Sequence, residues 1–167
     1  MATTRSRAAG AIGVAAVLLA ACGGGVEGTP VAELWDPCSI RAEALAEAGL
    51  DPNGSIPGER IEGSRRVAAF CTYVDRRFDF TAYSFAQPVE VRVPSSVLGD
   101  RVVVADHAAV RYRATSPAGL PTCAIALEAW SGSAEFEVRA GPGREPIDDL
   151  CAPLDQIVRL LLPTVPF

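Results

Sequence analysis

The sequence predicts an α+β domain: an antiparallel sheet of about six or seven strands with an N-terminal and a C-terminal helix packed on it, tied by two disulfides. Three observations predict this class. An Ala-rich segment with helix-capping residues comes first, short stretches of alternating polar and apolar residues follow, and an amphipathic segment closes the chain. A run of sequential strands bounded by helices favours helices layered on one antiparallel sheet.

The first helix is predicted to begin after Asp36 and to end at Gly49. Asp36 is a favoured N-cap, Pro37 suits the first helical position, and Gly49 is a typical stop. The next stretch, 51–63, is rich in Pro, Gly and Asn, which predicts a loop.

The middle of the chain predicts strands joined by short turns. Residues 70–74 and 78–85 flank a polar turn as in a hairpin, and Phe78, Phe80 and Ala82 alternate on one side. The other predicted strands are 89–93, 101–105, 108–115, 123–130 and 134–140. In the last of these, Phe136 and Val138 are expected to face the core, whereas Glu135, Glu137 and Arg139 are expected to face water.

The C-terminal segment predicts an amphipathic helix. Leu154, Ile157, Val158 and Leu161 have the spacing of one buried helical stripe. Pro153 suits the first turn of this helix, because a residue there needs no amide hydrogen.

The N-terminal segment carries the clearest motif. A basic start and an apolar run, 8–19, precede Leu19-Ala20-Ala21-Cys22, which resembles a bacterial lipobox. The run is too short to span a bilayer comfortably, because a transmembrane helix needs roughly 20 residues. These features predict a signal peptide over 1–21, a lipidated flexible tether over 22–34 and a single extracytoplasmic domain over 35–167.

Lipidation would place the domain on the extracytoplasmic face of the cell membrane. A lipobox cysteine receives a diacylglycerol, with acyl chains such as palmitate, and two chains give a stable anchor where one holds weakly. The alternatives are an uncleaved helix, or secretion with Cys22 unmodified.

The charge of the chain argues against a nucleic-acid partner. Removal of residues 1–21 takes away Arg5 and Arg7 and no acid, which leaves 13 Arg against 20 Asp and Glu, a balance of −7. Nucleic-acid-binding domains are typically basic.

Four cysteines remain beyond Cys22, and an even number in an exported chain predicts two disulfides. Cys38 with Cys71 and Cys123 with Cys151 is the favoured pairing, because each bond would tie a helix start to a nearby strand without crossing the other. Zinc binding is the alternative, but no pair has the separation of two to four residues that zinc sites show.

No catalytic constellation stands out, so no enzymatic activity, cofactor or metal site is predicted. His107 is the only histidine, and its position at a strand break suits a turn. Asp148 and Asp149 could form a carboxylate pair, but acids before a helix also stabilise its positive end.

Two non-enzymatic classes fit the sequence: a module that binds an envelope protein or has a structural role, and a carrier or sensor of a lipid or glycolipid. The aromatic residues expected off the main core face are candidate contacts for either class: Tyr73, Tyr83, Phe85 and Trp130. Such aromatics more often cover a second hydrophobic layer.

The cysteine-containing motifs resemble those of the actinobacterial lipoprotein family called domain of unknown function 3558. Asp36-Pro37-Cys38-Ser39-Ile40, Phe70-Cys71-Thr72-Tyr73, Cys123-Ala124-Ile125-Ala126 and Leu150-Cys151-Ala152-Pro153-Leu154 carry the resemblance. It spans roughly residues 34–163. It implies an exported, membrane-tethered domain with two disulfides, and it carries over no catalytic residue.

Overall fold

The computed structural model describes residues 33–93, 99–141 and 143–166. In these residues seven strands form one antiparallel sheet, in the order β1-β2-β3-β7-β6-β5-β4. The strands are β1 (Ser55–Glu62), β2 (Arg65–Val74), β3 (Phe78–Phe85), β4 (Gly99–Val104), β5 (His107–Thr115), β6 (Pro121–Ala129) and β7 (Gly132–Ala140). The predicted fold class is therefore confirmed.

The main core lies on the face of the sheet that we call the inner face. Phe80 pairs with Val138 and Ala82 with Phe136 across β3 and β7, and all four are buried. Helix α3 (Cys151–Leu161) covers this face and buries the predicted stripe, and the short helix α1 (Ala42–Glu47) packs beside α3.

Both disulfides form with the favoured pairing. Cys38 is bonded to Cys71 and Cys123 to Cys151, with Cα–Cα distances of 5.2 and 5.3 Å. The first bond fixes the N-terminal segment to β2, and the second fixes the start of α3 to β6.

The first helix is shorter than predicted. Asp36 caps a 3₁₀ turn, Pro37–Ser39, by accepting a hydrogen bond from the Cys38 amide at 2.9 Å. Ile40 and Arg41 then have extended backbones, so helix α1 begins only at Ala42. The bond from Cys38 to Cys71 holds this turn against β2, and the helix restarts beyond it.

The predicted loop over 51–63 was wrong over most of its length, because Pro52–Gly54 form a short 3₁₀ turn and Ser55–Glu62 form β1. This strand lies at one edge of the sheet, where Pro57 is tolerated because no further neighbour needs its amide hydrogen. Most of its side chains are exposed, so they show no alternation of burial. An exposed edge strand can therefore have the Pro- and Gly-rich composition that predicted a loop.

The predicted strand over 89–93 was also wrong: Val89–Arg92 is a single helical turn, α2. Its alternating valines therefore do not belong to a strand of the sheet. Val89 and Val93 lie one turn apart and pack against Ala126 on the opposite, outer face of the sheet.

The predicted signal peptide, Cys22 and most of the tether lie outside the described residues. Within the described part of the chain, no helix has both the length and the apolar composition needed to cross a membrane.

Candidate functional site

The outer face of the sheet is the face turned away from α3, and it carries a row of aligned side chains. Phe70, Tyr83, Glu135, Ala126 and Val110 are successive cross-strand neighbours from β2 to β5. The row is aromatic at one end and aliphatic at the other. It has a carboxylate in the middle, where helix α2 covers the sheet.

Helix α2 is fixed to the outer face by polar contacts at both of its ends. The amide of Val89 donates a hydrogen bond to Glu128 Oε1 at 2.9 Å. The guanidinium carbon of Arg92 lies 3.7 Å from the centre of the Phe85 ring, and Arg92 Nη2 lies 3.5 Å from Glu135 Oε2. A four-residue helix cannot be stable alone, so these contacts hold it in place.

Glu135 was expected to face water, and that expectation was wrong. It is 5 % exposed, because α2 and the neighbouring side chains cover the outer face at β7. Desolvation raises the pKa of its carboxyl, while the charge of Arg92 and a hydrogen bond with Tyr112 act in the opposite direction. Burial also raises the pKa of the Tyr112 hydroxyl, which therefore stays protonated as the donor to Glu135.

Beside the cluster formed by Arg92, Tyr112 and Glu135 lies a cleft that we call the α2 cleft. It has a volume of about 570 Å³ and lies between α2 and strands β4, β5 and β6. Its walls are mainly aliphatic, with Val89, Val93 and Val110 among them, and its ionisable lining residues are Glu90, Arg101 and Glu128. Ligand sites of proteins commonly have volumes of about 300 to 1,000 Å³ and mostly apolar walls.

Tyr73 was expected off the main core face, and that expectation was wrong. Its side chain is 1 % exposed and lies in the inner core, where its hydroxyl donates to the Pro37 carbonyl at 3.0 Å. Burial, with a smaller effect of the Asp36 charge, raises the pKa of this hydroxyl to about 12. Tyr73 therefore joins the N-terminal segment to β2 and is not available as a contact residue.

Tyr83 and Phe85 do lie on the outer face, as expected, but they form a packed layer. Their rings stack at 5.4 Å between centroids, and Phe70 lies 5.6 Å from Tyr83 on the other side. Phe85 is buried beneath Arg92, and Tyr83 is half-buried. Burial, and next the Glu137 charge, raise the pKa of Tyr83 to about 12. For this pair the packing alternative describes the structure better than the contact hypothesis.

Trp130 is the predicted contact residue that the structure leaves accessible, with 80 % of its surface exposed. It lies in the turn between β6 and β7. A second cleft of about 250 Å³ adjoins it, which we call the hairpin cleft; Trp35, Ala129 and Val165 also line it.

Asp149, the second of the two acids before α3, stabilises the start of that helix, which is the alternative to catalysis that the sequence suggested. Asp149 Oδ1 accepts hydrogen bonds from the Cys151 amide and from Arg113, both at 3.0 Å. These contacts lower the pKa of Asp149, the amide first. His107 begins β5, directly after a tight turn. In the described ranges, no three His, Cys, Asp or Glu side chains are grouped to hold a metal ion.

Sequence reasoning missed Arg92, Tyr112 and Glu135 as members of one cluster. A signal for it does exist in β6, where Cys123 to Leu127 is continuously apolar. Such a run is typical of a strand covered on both faces. It therefore indicated that some element had to cover the outer face.

Comparisons with protein-family models, curated proteins and solved structures gave no significant match. The resemblance to the domain of unknown function 3558 family therefore stays a prediction.

Proposed function

We propose that this chain is a membrane-anchored envelope lipoprotein whose folded domain is a non-enzymatic binding module, and that the α2 cleft is its binding surface. The lipobox at Leu19-Ala20-Ala21-Cys22 supports the anchor. The two disulfides support an oxidising, extracytoplasmic compartment, because such bonds are rare in the bacterial cytosol.

The observation that carries the binding role is the α2 cleft itself. A small domain normally closes apolar side chains against one another, yet here Val89, Val93 and Val110 border a space large enough for a ligand. The cleft combines aliphatic walls with Arg101 and two glutamates. This composition suits a partner with an apolar body and a polar end.

Two variants on one strand test the cleft. Val110→Gln places an amide in the cleft, whereas Ala114→Gln changes an exposed residue on the same face of β5, beyond the cleft. Full-length protein would be produced in an actinobacterial host and crosslinked in intact cells, and the crosslinked partners would be identified by mass spectrometry. We expect Val110→Gln to lose a partner that the wild type and Ala114→Gln retain; equal capture by all three would contradict the proposal.

A second candidate function is a carrier or sensor of a lipid or glycolipid, again through the α2 cleft. The aliphatic walls favour it. Native mass spectrometry of the purified protein, with solvent extraction of bound molecules, separates the two functions. A stoichiometric adduct of lipid mass that Val110→Gln loses would make the carrier function the leading one, and a bare domain would favour the protein partner.

A further inference from the structure

The hairpin cleft lies where the folded domain joins its N-terminal tether. Glu33 and Trp35, at the start of the described chain, line the cleft together with Val165 and Pro166 near its end. The remaining wall comes from Ser84 on β3 and from the hairpin of β6 and β7, whose turn places the exposed indole of Trp130 at the rim.

The number of residues between Cys22 and Glu33 limits how far this surface can be from a lipid on Cys22. Ten residues, 23–32, separate Cys22 from Glu33. A flexible Gly-rich chain of this length has a root-mean-square span of roughly 18 Å. If Cys22 is anchored, the end of the sheet that carries Trp130 is therefore held close to the headgroups of the bilayer.

The composition of the hairpin cleft suits a membrane interface. Tryptophan is enriched at that depth, because its indole has an apolar body and one polar N–H. Glu33 is the ionisable side chain among the described residues that line the cleft, and none of those residues is a Lys or Arg. A contact made here would depend on apolar burial and would not need anionic lipids.

We propose that the hairpin cleft and Trp130 rest in the interface of the bilayer to which Cys22 is anchored, so that the domain has one preferred orientation on the membrane. This inference deepens the proposed function and rests on its anchor. In this orientation the opposite end of the sheet, with the turn between β2 and β3, points away from the membrane.

The test uses the indole as its own depth probe. The chain has two tryptophans, so Trp35→Phe leaves Trp130 as the single fluorophore. The matched control adds Trp130→Ser and Arg76→Trp, which moves the fluorophore to an exposed turn at the opposite end of the sheet. Each full-length protein is reconstituted into phosphatidylcholine vesicles whose acyl chains carry bromine near the headgroup.

We expect Trp130 to shift its emission to shorter wavelength on reconstitution and to lose most of that emission to bromine, while the emission of the Arg76→Trp control changes little. Added salt should leave the quenching unchanged, because the contact is not electrostatic. Equal quenching of the two fluorophores would overturn the proposal. Emission from Trp130 that is already blue-shifted in unlipidated protein, in buffer without detergent or vesicles, would also overturn it, since another chain segment or a second copy would then occupy the cleft.

The anchor is checked separately on the same samples. Intact mass shows whether Cys22 carries a diacylglycerol, and an unmodified Cys22 would contradict the proposed function alone. The unmodified protein would then be coupled through Cys22 to a maleimide lipid, since the other four cysteines are in disulfides. Quenching of Trp130 in that sample still decides whether the hairpin cleft contacts the bilayer.

Discussion

Arg92 places its guanidinium carbon 3.7 Å from the centre of the Phe85 ring, and this contact joins the single turn of α2 to the third strand of the sheet. The same guanidinium neutralises the buried Glu135. One side chain thus fixes the helix that forms a wall of the α2 cleft and compensates a charge that the sheet would otherwise bury alone. The stability of the α2 cleft is therefore linked to the cluster of Arg92, Tyr112 and Glu135.

The first prediction concerns this pair. Arg92→Met should lower the free energy of unfolding by about 2 kcal/mol, because it leaves the Glu135 carboxylate buried without its counter-charge and removes the contact with Phe85. In the double variant Arg92→Met with Glu135→Gln, most of that loss should be recovered, since no buried charge remains. Urea unfolding of the wild type, both single variants and the double variant measures the coupling. Additive losses would contradict the role of Arg92 as counter-charge.

The second prediction concerns pH. Desolvation raises the pKa of Glu137, the Glu135 charge raises it further, and Arg139 acts against both. Because the folded state holds this proton to a higher pH than the unfolded chain, the contribution of Glu137 to stability is complete below about pH 4.5 and declines as the pH rises. Glu137→Gln removes this decline. The free energy of unfolding of this variant should therefore be higher than that of the wild type at pH 7 and equal to it near pH 4.

Urea unfolding of both proteins from pH 4 to pH 8 checks this prediction. The lowered pKa of Asp149 affects stability in the opposite sense, but it is common to both proteins and cancels in their difference. A difference that stays constant over this range would show that the titration of Glu137 is not its cause.

The third prediction concerns the turn between β4 and β5. Ala105 and Asp106 both have positive φ, 46° and 69°, as the favoured two-residue hairpin turn requires. Asp tolerates this region, but Ala has a steric clash there. Ala105→Gly should therefore raise the free energy of unfolding by about 0.5 to 1 kcal/mol. Ala108→Gly, in the strand that follows, should lower the free energy of unfolding. Urea unfolding that shows a lower free energy of unfolding for both variants would contradict the argument.

The inner face could be predicted from the sequence because the hydrophobic periodicity of each element identified which of its side chains are buried there. Phe78, Phe80 and Ala82 alternate, and the C-terminal stripe has helical spacing, so each pattern identified the buried side. The disulfide pairing followed from the order of these elements. Each of these patterns lies within one element, and the inner core forms where the buried sides of these elements pack together.

The outer face could not be predicted in the same way, because its residues depend on what covers them. Glu135 alternates with Phe136 as a solvent-facing residue would, and only α2, about 43 positions away, makes it buried. The valines at 89, 91 and 93 alternate as in a strand, but Val89 and Val93 also fit one helical turn. Tertiary contacts decided between these patterns, and a short apolar run alone does not.

The position of Tyr73 also depends on a contact with a residue distant in sequence, and this contact is the subject of the last prediction. Its hydroxyl donates to the Pro37 carbonyl 36 residues away, next to the bond between Cys38 and Cys71. Tyr73→Phe leaves that carbonyl buried without its donor, so the free energy of unfolding should fall by about 1 to 2 kcal/mol. Tyr83→Phe removes a hydroxyl from a half-buried ring on the neighbouring strand. That hydroxyl contacts Thr81, but the Thr81 hydroxyl keeps its hydrogen bond with Thr72, so this variant should change the free energy of unfolding by less than about 0.5 kcal/mol. Urea unfolding of the oxidised proteins compares them, and a loss from Tyr83→Phe as large as that from Tyr73→Phe would show that the bond to Pro37 contributes nothing specific.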